Sequence, residues 1–341
     1  MTIHLTRRQT LAAFGAATAA AALPMPAFAK DKANVGVLRL TSHAPNFVAF
    51  ERGYFAEEGL DVEFKIFAAA QPMAVAIASG DADFGVTAIS GGLISLAEKG
   101  ATKVIGGALQ EAKGISGQIL LASNKAYEEG VTSPKALKGR KIGITTAGSS
   151  FHYMAARMAE KDGVPASELR FTPLEKIPSI VSALKTGDID AWAIQPSIGA
   201  GLVSSGAAKQ IGLVADYLPD YQVTTVFTSS KIAADDKAKA QAFLRAFAKG
   251  AQAVNAALVE KSLSDGETKE ILGMIHKYVF QDQPAEKAYA AIQNGPMQIA
   301  PDCALRMGSI RDQLDWFKSE GMVKAEVTME MLVDPSFVKN V

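Results

Sequence analysis

The chain has 341 residues, 48% of them apolar, and its 35 Lys plus Arg balance its 35 Asp plus Glu. This length suits two modest domains with full cores, and the even charge sets up no global field for nucleic acid or an anionic membrane. The single cysteine, Cys303, excludes an internal disulfide or a cysteine-based metal cluster and reads as a small buried hydrophobe.

The first residues read as a leader rather than as fold. Met1–Arg8 is short and basic, Leu11–Leu23 is Ala-rich and too short to span a bilayer, and Ala27-Phe28-Ala29 is an Ala-x-Ala cleavage site. Thr6-Arg7-Arg8-Gln9-Thr10-Leu11 resembles the twin-arginine export motif, although Thr10 stands where a bulky apolar residue is usual. An ordinary charged segment on the general export route is the alternative. No cysteine follows for a lipid anchor, and no later stretch is long and apolar enough for a transmembrane helix. Residues 1–29 are therefore expected to be an export signal cleaved near Ala29, leaving a soluble periplasmic chain.

Val35–Leu40 reads as a β-branched strand, and a helix opens at Pro45, with Gly59 as its stop. Leu60–Phe67 alternates as a strand, followed by helix 72–79, strand 83–87, helix 91–99 and strand 103–109. The pattern then repeats: strand 141–146, helix 151–162, strand 169–174, helix 178–186, strand 190–194 and a Gly/Ser-rich helix near 198–206. Strands separated by helices imply parallel units in a doubly wound sheet. The repeat is visible in the residues themselves. Pro72 through Gly80-Asp81-Ala82-Asp83 to Ser90 reappears as Pro178 through Gly187-Asp188-Ile189-Asp190 to Ser197. Both Gly-Asp-x-Asp turns read as structural, the glycine ending a helix and the first aspartate capping the turn into a strand.

Gln118–Ser123 and Gln222–Ser230 are expected to be the two crossovers between lobes. Beyond Ala233 the strand signal gives way to helices at 241–258, 271–279, 285–292 and 309–319, expected to pack on the first lobe. The expected architecture is α/β, two doubly wound sheets joined by a two-strand hinge. Lobe 1 takes residues 30–115 plus 231–341, lobe 2 takes residues 116–230, and a ligand cleft lies between them.

Gly53-Tyr54-Phe55-Ala56-Glu57-Glu58-Gly59-Leu60-Asp61-Val62, followed by Ala78-Ser79-Gly80-Asp81-Ala82-Asp83-Phe84-Gly85, resembles the periplasmic solute-binding proteins of the nitrate/sulfonate/taurine and thiamine-precursor group. The likeness runs over essentially the whole mature chain. It implies a two-lobed type II periplasmic-binding-protein fold that closes by a hinge on a small molecule. It also implies a membrane permease, with its ATPase, as partner of an ABC importer. The motif identifies scaffold and says little about the ligand.

In such sheets ligands meet the carboxyl ends of strands, where loops enter helix N-termini. The loops here are Thr41–Pro45, Ala68–Pro72, Thr87–Gly91, Thr146–Ser150 and Gln195–Ser197. Free backbone N–H groups and the helix dipole favour an anion at each, although Ser, Thr and Gly at a helix start are also ordinary caps. Ser42, Gln71, Ser90, Gly91, Gly148, Ser149, Ser150 and Gln195 are the candidate contacts, with Ser90-Gly91 and Gly148-Ser149-Ser150 placed to clamp a polar head from opposite lobes. His43 and His152 lie just past strand ends in corresponding positions, as ligand contacts or as capped, solvated groups. Trp192 precedes Gln195 with an N–H that needs a partner. Arg39, two residues before Thr41, would share its strand face and hold a sulfonate or carboxylate if it points inward; an edge arginine with a packed stem is the alternative.

No catalytic motif or metal-ligand cluster appears. Ser182-Ala-Leu-Lys185 matches a nucleophile–base spacing but lies late in an ordinary helix, and the four histidines are scattered. No catalytic residue, metal or cofactor is expected. The fungal relatives implied by the resemblance are pyrimidine-making enzymes with a cysteine-rich iron motif, which this chain lacks. The expectation is a monomeric binding protein for a small organic anion, a sulfonate or carboxylate with an aromatic body given Phe151, Tyr153 and Trp192. The alternatives are a neutral heterocycle such as a thiamine pyrimidine precursor as ligand, or a pyrimidine-synthase-like enzyme of the same fold, and delivery to a membrane sensor stays open beside transport.

Overall fold

The computed structural model describes residues 30–341; the export signal expected at 1–29 lies outside them. Its strands are β1 (Asp31–Val37), β2 (Leu60–Ile66), β3 (Phe84–Ala88), β4 (Thr102–Gly107), β5 (Leu109–Gln110), β6 (Ile119–Ser123), β7 (Lys141–Ile144), β8 (Arg170–Pro173), β9 (Ala191–Ile194), β10 (Ala208–Leu213), β11 (Thr224–Ser229) and β12 (Gln298–Ile299). One five-stranded sheet runs β2-β1-β3-β11-β4 and the other β10-β6-β9-β7-β8, while β5 and β12 form a small pair. The result is the two-lobed α/β fold that the sequence implies. Strands β3 and β9 are buried along their whole length. Helices on both faces of a sheet demand such continuously apolar strands.

The sheets are mixed rather than purely parallel. β11 runs antiparallel to β3 and β4, and β6 runs antiparallel to β9 and β10. Each of these two strands follows directly on a passage from the other lobe. The apolar runs read as crossovers are therefore central sheet strands, which is why they are apolar. Thr224–Ser229 pairs in the first sheet, although residues up to 230 were expected with the second. The true crossovers are the segments 108–118 and 214–223. They pair through Glu111 N–H to Tyr221 O (2.8 Å), Val223 N–H to Leu109 O (2.9 Å) and Ala108 N–H to Thr224 O (3.0 Å).

The repeated turn shows how sequence fixes this scaffold. Gly80 and Gly187 end their helices with φ of 85° and 76°, a left-handed cap that glycine adopts without a Cβ clash. In each copy the second aspartate, rather than the first, pins a strand. Asp83 Oδ2 accepts from Asn34 N–H and Asp190 Oδ2 from Lys141 N–H, both at 2.7 Å. The first aspartate of each turn accepts a hydroxyl from two residues upstream, Ser79 or Thr186.

The C-terminal tail spans both lobes instead of resting on the first alone. Helix Lys237–Leu258 stacks Phe243 on Phe84 and Phe55 of lobe 1. Helix Met307–Ser319, however, reaches the lobe 2 helix Ser150–Lys161. Tyr153 donates to Asp312 Oδ2 (2.5 Å), Arg157 pairs with Asp312 (3.0 Å), and Trp316 Nε1–H donates to Glu160 (3.1 Å). Its buried positions 310, 313, 314, 316 and 317 cover more than one face, so it has apolar surface for both neighbours. Among the described residues no helix is long and apolar enough to cross a membrane.

Candidate functional site in the interlobe cleft

Besides the contacts of the tail, three hydrogen bonds join the lobes around the cleft. Gly91 N–H donates to Gly148 O (3.0 Å), the Thr41 and Ser197 hydroxyls bond at 2.8 Å, and Ser42 N–H reaches Gln195 Oε1 (3.4 Å). Inside lies a cavity with about 640 Å³ of unfilled space, solvent at its mouth included. Three helices begin with a residue of its wall, at Ala70, Ser150 and Ile177. Free N–H groups at helix starts favour negative charge by about 0.3–1 kcal/mol each, more when partly buried.

The wall divides by chemistry. Leu38, Leu40, Leu109, Phe151, Ile177, Ile194 and Val223 make an apolar body, with Ala68, Ala69, Ala70 and Ala88 between them. Ser42, His43, Thr87, Gln118, Thr145, Ser149, Ser150, Gln195 and Thr224 supply polar atoms. No Arg, Lys, Asp or Glu is among the lining residues. His43 is the single ionisable side chain in the wall; it is 2% exposed and burial pulls its pKa down to about 3, so its imidazole is neutral at physiological pH. Its Nδ1 and the Gln195 Nε2 are buried with no partner. Two unsatisfied buried polar atoms on one cavity wall are costly unless something fills them, about 1–3 kcal/mol each.

Five of the expected contacts are in this wall: Ser42, His43, Ser149, Ser150 and Gln195. The other seven are placed elsewhere. Arg39 is exposed and donates to Tyr278 O (3.4 Å) and to Gln281 Oε1. Strand β1 ends at Val37, so the strand alternation that paired Arg39 with Thr41 does not hold there. Gln71 lays its amide where a Cβ on Gly92 would sit. Ser90 caps its helix by accepting Leu93 N–H (3.2 Å). Gly91 and Gly148 spend their facing backbone groups on each other, so this pair joins lobe to lobe rather than gripping a head group. His152 Nδ1 accepts Gly148 N–H (3.2 Å), and its ring lies 3.7 Å from that of Phe171. Burial lowers its pKa to about 4, so it too is neutral. Trp192 is fully buried in the lobe 2 core and meets Phe151 edge-on at 5.7 Å, so it supports the wall from behind.

The wall residues outside the expected set fall in two groups. Thr87 and Thr145 lie at the carboxyl ends of β3 and β7, where the strand-end rule applies. Gln118 and Thr224 border the crossovers, whose position depends on long-range pairing and leaves no local signal. The crossover also holds Glu111, whose Oε1 accepts Gln118 N–H (2.9 Å) while Oε2 is buried without a partner. Burial raises its pKa to about 8. Gly117, at φ 57°, leaves the space that this carboxyl group occupies. Cys303 is buried, its thiol pushed up to about 12 by burial, and it is not in the wall. Among the described residues no group of three or more His, Cys, Asp or Glu is placed to hold a metal ion.

A family model described as NMT1/THI5 like matches residues 40–257. A protein of Brucella abortus that carries a binding-protein name is 25% identical over 181 residues, 53% of each chain. The chain thus spans about half the length of the curated relatives it matches. The alkanesulfonate-binding protein SsuA of Xanthomonas axonopodis, bound to MOPS, shares the fold with TM-score 0.70 at 15% identity, over 89% of this chain and 98% of that one. The periplasmic nitrate-binding protein NrtA of Synechocystis matches at TM-score 0.69 and 15% identity, over 89% and 84%. The desulfurization enzyme DSZB matches at TM-score 0.59 and 13% identity, over 90% and 97%, so the fold also serves an enzyme.

Proposed function

Because this chain belongs to the NMT1/THI5-like family, we propose that it is the periplasmic solute-binding component of an ABC importer. It captures a small organic solute between its lobes and, as a monomer, delivers it to a membrane permease with its ATPase. The observation that carries this reading is the cavity itself. It is walled by both lobes, largely apolar, and supplied with unpartnered polar atoms at His43 and Gln195. That is the makeup of a ligand site rather than of packing. Among the described residues no wall hydroxyl is hydrogen-bonded to His43, whose Nδ1 has no partner, and Cys303 is elsewhere. Capture without chemistry is the reading.

A monoanion such as a sulfonate or carboxylate suits the three helix N-termini, with Leu, Ile and Phe side chains around its carbon body. A multiply charged anion is disfavoured by a wall with no cation to compensate it. The neutral state of His43 supports a second reading. A neutral imidazole and a carboxamide with a free N–H present a donor and acceptor pair that a neutral heterocycle would satisfy. Closure bends the segments 108–118 and 214–223, where the lobes are linked.

A thermal-shift panel on protein unfolded and refolded without ligand separates these readings. It contains alkanesulfonates, carboxylates, nitrate, bicarbonate and a hydroxymethylpyrimidine. A ligand at roughly 1,000 times its Kd adds about 4 kcal/mol. A shift with sulfonates or carboxylates supports the anion reading, and a shift with the pyrimidine alone replaces it. No shift with any solute overturns the binding-protein reading.

A further inference from the structure

The cavity does not end at its wall. Leu38, Leu40, Ala68 and Ile177 line it and also line a groove on the outer surface. The groove adds Ile66, Phe67, Pro178 and Ile198, and both lobes contribute to it. It has about 950 Å³ of unfilled space, open solvent included, more than the cavity behind it. Ile66 is 45% exposed there, one of few large apolar side chains in the described chain left so open. Arg39 and Lys176 border the groove. Long cationic side chains lay their methylene stems along apolar surface while their heads stay in water. The groove is thus formed by both lobes, adjoins the cavity through shared residues, and is apolar apart from Arg39 and Lys176.

We propose that this groove is a second subsite, which holds the distal hydrocarbon chain of a solute whose polar head lies in the cavity. The occupant is an elongated amphipathic organic anion, its chain passing Ala68 and Ile177 to lie against Ile66 and Ile198. This rests on the organic-anion reading above. Three observations support this occupant. The groove shares four residues with the cavity, it is made by both lobes and so is complete when they are closed, and eight of its ten lining side chains are apolar, Arg39 and Lys176 being the exceptions. A permease surface would use the groove without regard to what the cavity holds, and the test distinguishes the two.

The experiment is calorimetric titration of linear alkane-1-sulfonates, from methane- to octanesulfonate, into refolded wild type, Ile66→Ser/Ile198→Ser and Val75→Ser. Val75 is 49% exposed on the helix Ala70–Ser79 and lines neither the cavity nor the groove, so it controls for loss of a surface hydrophobe. Burial of a methylene strengthens binding by about two- to fourfold. Wild type and Val75→Ser are expected to gain by that factor per carbon through the longer probes. The double variant is expected to stop gaining once the cavity is full. Equal slopes in all three proteins overturn the subsite and leave the groove to a protein partner. Binding of short sulfonates with no gain from length likewise overturns the subsite while leaving the organic-anion reading intact. Silence from the whole series removes both.

Discussion

The two lobes place a histidine at matching points, shortly after β1 in one sheet and β7 in the other, and use them in opposite ways. His43 leaves Nδ1 unpartnered beside the cavity. His152 turns Nδ1 back onto Gly148 N–H and packs its ring on Phe171 and Trp316, so that it stiffens the loop which touches Gly91. Repetition of fold therefore does not bring repetition of role. One lobe leaves its histidine nitrogen without a partner in the cavity wall, and the other uses it to hold the loop that meets the opposite lobe.

The largest expected effect of this pair is in acid. Both imidazoles have folded pKa values below the ordinary 6.5, about 3 for His43 and about 4 for His152, because burial disfavours the charged form. Between those values and 6.5 the unfolded chain binds protons that the folded chain refuses. Stability is fully present above pH 6.5 and is lost as pH falls, by about 1.4 kcal/mol per pH unit for each histidine. Urea unfolding of wild type and His43→Gln across this window should show a shallower fall in the variant. Parallel curves would mean that His43 is not buried neutral.

Glu111 in the crossover provides a control of opposite sign. Its folded pKa of about 8 lies above the ordinary 4.5, so the folded chain keeps a proton that the unfolded chain releases. Its contribution is lost as pH rises from 4.5 towards 8, again by about 1.4 kcal/mol per unit. Glu111→Gln keeps the shape and the acceptor for Gln118 N–H, and its alkaline loss of stability should be smaller. An unchanged alkaline limb would place Glu111 in solvent.

Next in size is His152→Ala. It strips the acceptor from Gly148 N–H and leaves a gap beside Phe171, at a cost of about 2–3 kcal/mol to stability. His43→Ala also leaves a gap but breaks no hydrogen bond of Nδ1, so it should cost about 1 kcal/mol less. If denaturant midpoints show equal losses for both variants, the division of roles between the lobes fails. The smallest effect is expected at Asp312→Asn, which weakens the half-exposed pair with Arg157. Such pairs contribute about 0–1 kcal/mol, less at high salt. A larger loss would make the tail a stronger tie to lobe 2 than its contacts warrant.

Much of this architecture is legible in the sequence, because its signals are local. Gly80 and Gly187 stop their helices, Ser90 and Ser149 cap theirs, and the repeated Asp-x-Asp turns mark where each strand begins. What escapes are features decided at a distance. Gln118–Ser123 and Gln222–Ser230 look like apolar linkers until strand pairing sets them into sheets across the cleft. Arg39 reads as a strand residue, yet β1 ends two residues earlier and the side chain leaves for Gln281. Trp192 sits close to Gln195 in sequence and behind Phe151 in space. Of the site, the strand-end loops identify Ser42, His43, Ser149, Ser150 and Gln195. Local sequence cannot tell which polar groups are already satisfied by their neighbours, as those of Ser90, Gly91, Gly148 and His152 are.

The most direct test of the account uses whichever solute gives the largest thermal shift. Titrated by calorimetry at neutral pH into wild type, His43→Ala and Gln195→Ala, it should bind wild type one to one. Each variant should bind it roughly tenfold more weakly, the worth of one buried hydrogen bond. Wild-type affinity in both variants would contradict the placement of the solute in this cleft.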